Sequence, residues 1–114
     1  MSERRRTFSL DEAQALLPTV RRVTDEAVAQ TSRLEAELDA TEPDDPAREQ
    51  LVDQLNEVIA GWARQIQALD AEVKGLWLVD FDNGEGYYCW RHPEPIVSHY
   101  HGYDEGFAGR MKIT

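Results

Sequence analysis

Two apolar seams constrain this chain more than anything else in it. Ala13, Leu17, Val20, Thr24, Ala27, Thr31, Leu34 and Leu38 follow one another by alternate fours and threes, the seam of helices packed nearly parallel or antiparallel. Leu51, Leu55, Val58, Trp62, Ile66, Leu69 and Val73 repeat that spacing. Between the seams, Thr41-Glu-Pro-Asp-Asp-Pro46 combines two prolines with capping aspartates, so it ends one helix and starts another, with Asp44 or Asp45 as the cap. The spacing predicts a helix over residues 10–40, opened by the capping box Ser9-Leu10-Asp11-Glu12, and a second over 46–74, closed by Gly75. Pro18 lacks the amide that would bond one turn back and predicts a kink or restart near Leu17. Helices of about 40 Å, at 1.5 Å per residue, joined so briefly fold back as an antiparallel hairpin. Two helices alone have too little core, so a third layer or a partner is required.

The tail, residues 76–114, supplies that layer. Leu76-Trp-Leu-Val-Asp-Phe81 and Gly86-Tyr-Tyr-Cys-Trp-Arg91 are rich in aromatic and β-branched residues and flank Asn83-Gly84, a strong hairpin signal. With Asn83 and Gly84 as the two turn residues, Trp77 lies opposite Trp90 and Val79 opposite Tyr88 on one face. Leu78 lies opposite Cys89 and Asp80 opposite Tyr87 on the other. The tryptophan face packs on the helices. His92-Pro-Glu-Pro95 turns the chain into a third strand, Ile96 to His101. The expected fold is therefore α+β, one domain over residues 1–114: a long antiparallel helical hairpin followed by a small antiparallel β-sheet of three or four strands.

Composition narrows the function classes. With 22 acidic against 12 basic side chains in 114 residues the formal charge is −10, which argues against nucleic acid, whose binding draws on phosphate neutralisation by Lys and Arg. No apolar run approaches the roughly 20 residues that span a bilayer. The start, Met-Ser-Glu-Arg-Arg-Arg, lacks the apolar stretch of a secretory signal, and a lone Cys89 excludes an intramolecular disulfide. A cytoplasmic protein is expected, with Arg4-Arg5-Arg6 as a solvated end.

Several strings then group together: Phe8-Ser-x-x-Glu12-Ala13 with Leu17-Pro18, Val79-Asp80-Phe81, Cys89-Trp90-Arg91 followed by Glu94, and Tyr100-His101 ahead of Gly106-Phe-Ala-Gly109-Arg110. From about Phe8 to Ile113 the chain resembles the bacterial family known as domain of unknown function 2203. The resemblance implies a small bacterial cytoplasmic protein whose polar signature residues are Asp80, Arg91, Glu94, His101 and Arg110. His99 departs from the pattern, which has an aromatic residue there.

Two constellations carry possible chemistry. His99-Tyr-His101 places two imidazoles on one face of a strand, about 6 to 7 Å apart, and Glu105 completes a His-x-His-x-x-x-Glu string. Two histidines and a carboxylate suit one divalent transition metal, Zn, Fe, Mn or Ni. The competing reading is a hydrogen-bonded histidine at the sheet edge beside an exposed one. Asp80, Arg91, Glu94, His101 and Arg110 form the second constellation, either a salt-bridge network in which both arginines pair with Asp80 and Glu94 or a ligand pocket. The hairpin register sets Asp80 and His101 on opposite faces, against direct contact. Cys89, opposite Leu78, reads as a small buried hydrophobe. No Ser-His-Asp spacing, P-loop or dinucleotide fingerprint is present, and the balance is against an enzyme. The first functional expectation is a non-enzymatic interaction module, a homodimer whose hairpins pair as a four-helix bundle or a module that binds another protein. The alternative is a metal-binding or small-ligand-binding protein with its site around His101.

Overall fold

The structure, a computed structural model, describes residues 6–113; the basic start at Arg4 and Arg5 lies outside them. Helix α1 spans Leu10–Asp39 and α2 spans Ala47–Ala68. Strands β1 (Glu72–Gly75), β2 (Leu78–Asp82), β3 (Gly86–Arg91), β4 (His99–Gly102) and β5 (Met111–Lys112) follow, with a 3-10 turn at Phe107–Gly109. The strands form one antiparallel sheet in sequence order. The α+β hairpin-plus-sheet expectation holds, with five strands in place of three or four. No helix among the described residues is long and apolar enough to cross a membrane.

Local signals set the helix starts. The Ser9 hydroxyl accepts from the Glu12 amide at 3.1 Å while Glu12 accepts from the Ser9 amide at 2.8 Å, the reciprocal capping box. The Asp45 carboxylate accepts from the Ala47 amide at 2.9 Å, in the capping role expected of it. Pro18 does not restart α1, which runs through it as one helix.

Helix α2 ends earlier than its seam suggests. Asp70 takes a left-handed φ of 67°, and the chain leaves the helix there for β1. Val73 still reaches the apolar interior, but as a strand residue opposite Val79. A position four after Leu69 falls on the apolar face by either route. Gly75 is consequently paired to Leu78 across a strand turn and is not a helix cap.

The hairpin between β2 and β3 differs from expectation by two residues of register. Val79 lies opposite Trp90, Asp80 opposite Cys89 and Phe81 opposite Tyr88. The Asn83 amide donates to the Gly86 carbonyl at 2.9 Å, so the turn residues are Gly84 and Glu85. Gly84, at φ 91°, takes the positive φ that a tight hairpin needs at its first turn position. The Asn83 side chain is used up in holding the turn, accepting from the Glu85 and Gly86 amides at 2.9 Å each. Gly86 allows β4 to approach closely, since a Cβ there would stand 2.6 Å from the His101 carbonyl oxygen. Trp77 moves into the β1–β2 turn, with φ 61°, and packs edge-on against Trp62 at 4.8 Å.

A slip of two leaves each side chain on its own face. Val79, Phe81 and Trp90 therefore pack, as expected, on Ala13, Leu17, Val20, Val23, Ala27, Trp62 and Ile66 of the helices. Phe8 joins this core edge-on to Phe81 at 5.4 Å. Val97 is fixed to α1 by Gln14, whose side chain donates to its carbonyl at 2.9 Å and accepts from its amide at 3.0 Å. The third strand is shorter than expected and starts at His99, since the Val97 backbone is taken up by Gln14 instead of the ladder.

Candidate functional site: a polar interior on the far face of the sheet

The face of the sheet turned away from the helices is polar and yet largely closed. β2 places Asp80 and Asp82 there, β3 places Tyr87 and Cys89 opposite them, and β4 continues each row with His99 beside Cys89 and His101 beside Tyr87. Asp80 and Cys89 are fully buried and His101 is 3% exposed. The C-terminal tail forms the cover. Tyr103 packs edge-on against Tyr87 at 5.1 Å and its hydroxyl donates to Asp82 at 2.6 Å. Arg110 stacks over Phe107 at 4.4 Å.

At the centre His101 Nε2 and Asp80 Oδ2 are 2.8 Å apart, which corrects the expectation that these residues lie on opposite faces. With Asp82 opposite Tyr87 and Tyr87 opposite His101, His101 shares the face of Asp80 and lies diagonal to it. His101 Nδ1 is 2.8 Å from the Gly102 carbonyl, which can only accept, so Nδ1 carries a hydrogen. One further proton is then shared between Nε2 and Oδ2, and the pair is neutral overall. Burial pushes the Asp80 carboxyl above its ordinary range, with the His101 charge and the Cys89 thiol working against that rise. Asp80 Oδ1 has no hydrogen-bond partner of ordinary geometry among the described residues. The neighbouring Cys89 thiol is pushed up to about 12, by burial first and by the Asp80 carboxylate second. It is protonated under ordinary conditions.

The second polar group lies beside the first. Arg110 makes a bidentate pair with Glu94, Nη1 to Oε1 at 3.0 Å and Nη2 to Oε2 at 2.6 Å. Nη1 also lies 4.0 Å from Cys89 Sγ. Glu94 further accepts from the Arg91 amide at 2.7 Å. Burial pushes the Glu94 carboxyl up, but the Arg110 guanidinium and the Arg91 amide outweigh it, and its pKa lies below the ordinary value. Stabilisation from this pair is thus complete above the unfolded carboxylate value of about 4.3 and is lost as pH falls through the lower folded value. Glu94→Gln should cost about 1–2 kcal/mol at neutral pH, a charge-assisted bidentate pair reduced to one neutral hydrogen bond. Urea unfolding of parent and variant should show that gap shrinking at pH 3; a constant gap would contradict the assignment.

The five signature residues therefore do not form one network. Asp80 pairs with His101, Glu94 with Arg110, and the Arg91 guanidinium lies over the Phe107 ring at 5.4 Å instead of reaching Asp80. Cys89, read from the sequence as a packing residue, stands between the two pairs. Its signal was the alternation that put it on the face shared by Asp80 and Arg91. Of the metal string, His99 Nδ1 is 3.0 Å from the Ser98 hydroxyl and 3.6 Å from Glu94. Glu105 accepts from the Gly102 amide at 2.7 Å, a turn-closing role that leaves it out of any grouping with the histidines. The donors that do converge among the described residues are those of Asp80, Cys89 and His101, all within 4.8 Å of one another.

No curated protein and no solved structure matches the chain. Residues 6–113 match the model of the family described as "Uncharacterized conserved protein (DUF2203)". The match spans both helices, the sheet and the tail that closes the polar interior, and the chain belongs to that family.

Proposed function

We propose that the chain is a non-enzymatic self-association module, in which the free halves of two helical hairpins pack together as a four-helix bundle. The reading rests on where the core stops. Buried seam residues end at Thr31 in α1 and begin at Trp62 in α2. Leu34, Leu38, Leu51 and Leu55 continue the seam beyond the sheet, yet all four are only half-buried and none belongs to the core cluster or packs against it. A two-helix projection of this kind leaves its seam wet, and antiparallel pairing of two copies hides it with the knobs-into-holes geometry that the fours-and-threes spacing suits.

Charge at the groove supports a second copy as the occupant. Its rim carries Arg33 with Glu37 and Glu57 around Leu34 and Val58, so a twofold interface can set Arg33 of each copy against an acid of the other. Each copy carries a formal charge of −10, and screening of that repulsion should make association tighter as salt rises. Sedimentation equilibrium of the parent and of Leu34→Glu/Leu55→Glu tests this. The parent should be dimeric at micromolar concentration and more so in high salt. The variant should be monomeric, with its sheet and near-ultraviolet circular dichroism intact. A parent that stays monomeric at high micromolar concentration overturns the reading.

A further inference from the structure

We propose that Asp80, Cys89 and His101 form a buried site for one divalent transition-metal ion of the zinc type. The inference is independent of the bundle and uses a different donor set from the His99, His101 and Glu105 string. It begins with placement. Asp80 and Cys89 are paired residues of neighbouring strands and His101 lies diagonal to Asp80 on the next, so three donors of different chemistry point into the same closed space. A Cβ-sized or apolar residue at any of the three would have built an ordinary core.

The second observation is the orphaned oxygen. Asp80 Oδ1 is buried with no hydrogen-bond partner of ordinary geometry among the described residues, the Cys89 thiol being the further group that acts on this carboxyl, an arrangement rarely left unexplained in a folded interior. A cation beside it gives this atom a partner, and one carboxylate oxygen with the sulfur and the imidazole nitrogen supplies three of the donors of a tetrahedral ion. The sulfur, nitrogen and oxygen set selects a borderline ion such as zinc, not magnesium or calcium, which prefer oxygen alone.

The surroundings match what ligands of this kind need. His101 Nδ1 donates to the Gly102 carbonyl at 2.8 Å, which fixes the ring and leaves Nε2 for the ion. Arg110 Nη1 stands 4.0 Å from Cys89 Sγ and is itself held by Glu94, so a cation already faces the sulfur that must become a thiolate. Donors around a tetrahedral ion of zinc size stand roughly 3.3–3.7 Å apart. The 2.8 Å pair of His101 and Asp80 must open slightly, and the sulfur, no farther than 4.8 Å from either partner, must close. Both are side-chain adjustments.

Charge balances as well. Entry of the dication expels two protons, one from Cys89 Sγ and one shared between His101 Nε2 and Asp80 Oδ2. The thiolate and the carboxylate then offset the two positive charges. A neutral interior stays neutral, so no net charge has to be buried.

The test uses the full chain, prepared without a histidine tag and stripped with chelator, then titrated with Co2+ and separately with Zn2+. One equivalent should bind, and the cobalt form should show a thiolate-to-cobalt charge-transfer band in the near ultraviolet. Cys89→Ser should lose that band and weaken zinc binding by at least about 100-fold, first-sphere loss exceeding the 10–100-fold typical of outer partners. Asp80→Asn, which keeps the side-chain shape, should weaken binding while retaining a thiolate band. His99→Ala should bind as the parent does. Thermal unfolding of each apo variant confirms that it is folded. Absence of stoichiometric binding in the parent overturns the site, and so does a parent that binds without the charge-transfer band or with an affinity indifferent to Cys89→Ser and Asp80→Asn.

Discussion

Trp62→Ala should lower the free energy of unfolding by about 3–5 kcal/mol, the range for deleting a large aromatic side chain from a core that cannot fully collapse. Trp62 is 1% exposed and touches every layer of the molecule. Its indole N–H donates to the Thr24 hydroxyl of α1 at 2.8 Å inside the core. Its ring meets Trp77 of the β1–β2 turn edge-on, a pair that adds about 0.5–1.5 kcal/mol beyond area burial. Removing it weakens the hold of α2 on both the other helix and the sheet, leaving Ile66 as the buried side chain of α2. Since small domains are stable by roughly 5–15 kcal/mol, the variant should be partly unfolded in moderate urea while the parent is native. Trp62→Phe separates the two contributions. It keeps most of the ring and loses the hydrogen bond, and should cost about 1–2 kcal/mol. Urea titration by circular dichroism measures both, and a loss under about 1 kcal/mol for Trp62→Ala would show that the three layers are not joined through this residue.

The second large effect is expected at His101. His101→Ala leaves the Asp80 carboxylate fully buried with only the Cys89 thiol beside it, and breaking a buried pair from one side typically costs about 3–5 kcal/mol. The pH dependence makes the prediction specific. Burial already raises the Asp80 carboxyl and His101 is the chief influence opposing it, so in the variant the folded value climbs further above the unfolded one. For an acid raised on folding, stability is greatest below the unfolded value, about 3.9, and falls as pH rises through the folded value. The variant should accordingly recover part of its loss at pH 5 relative to pH 7. The double change His101→Ala/Asp80→Ala should also be less damaging than the two single losses added together. Equal losses at both pH values would mean that the carboxylate is not the group left stranded.

These two sites differ in how far they could be read from the residues alone. Trp62 sits at the crossing of two seams whose spacing names it as core. His101 was visible as a polar residue on a strand, but its partner was not. Asp80 lies 21 positions away, and which face each occupies depends on how three strands are aligned. Periodicity is silent there, because a two-residue slip between β2 and β3 moves Trp90 from Trp77 to Val79 without turning any side chain over. Only the turn decides it. The Asn83 side chain closes onto the Glu85 and Gly86 amides and hands the turn to Gly84 and Glu85. The end of α2 was hidden for a related reason: Val73 satisfies a helical step from Leu69 and a strand pairing with Val79 equally well.

The sequence by itself determined what depends on neighbours a few positions away: the capping box at Ser9 and Glu12, a cap at Asp44 or Asp45, two seams, a hairpin near Gly84, and a sheet with one apolar and one polar face. Tertiary structure alone decided the register of the strands, the choice of Arg110 over Arg91 as partner of Glu94, and the meeting of Asp80, Cys89 and His101. The reason is physical. Local hydrogen bonds and side-chain periods act over one or two turns of chain and leave a mark in the order of residues. Long-range pairing is settled by which of several locally equivalent alignments closes the core and satisfies buried polar groups together.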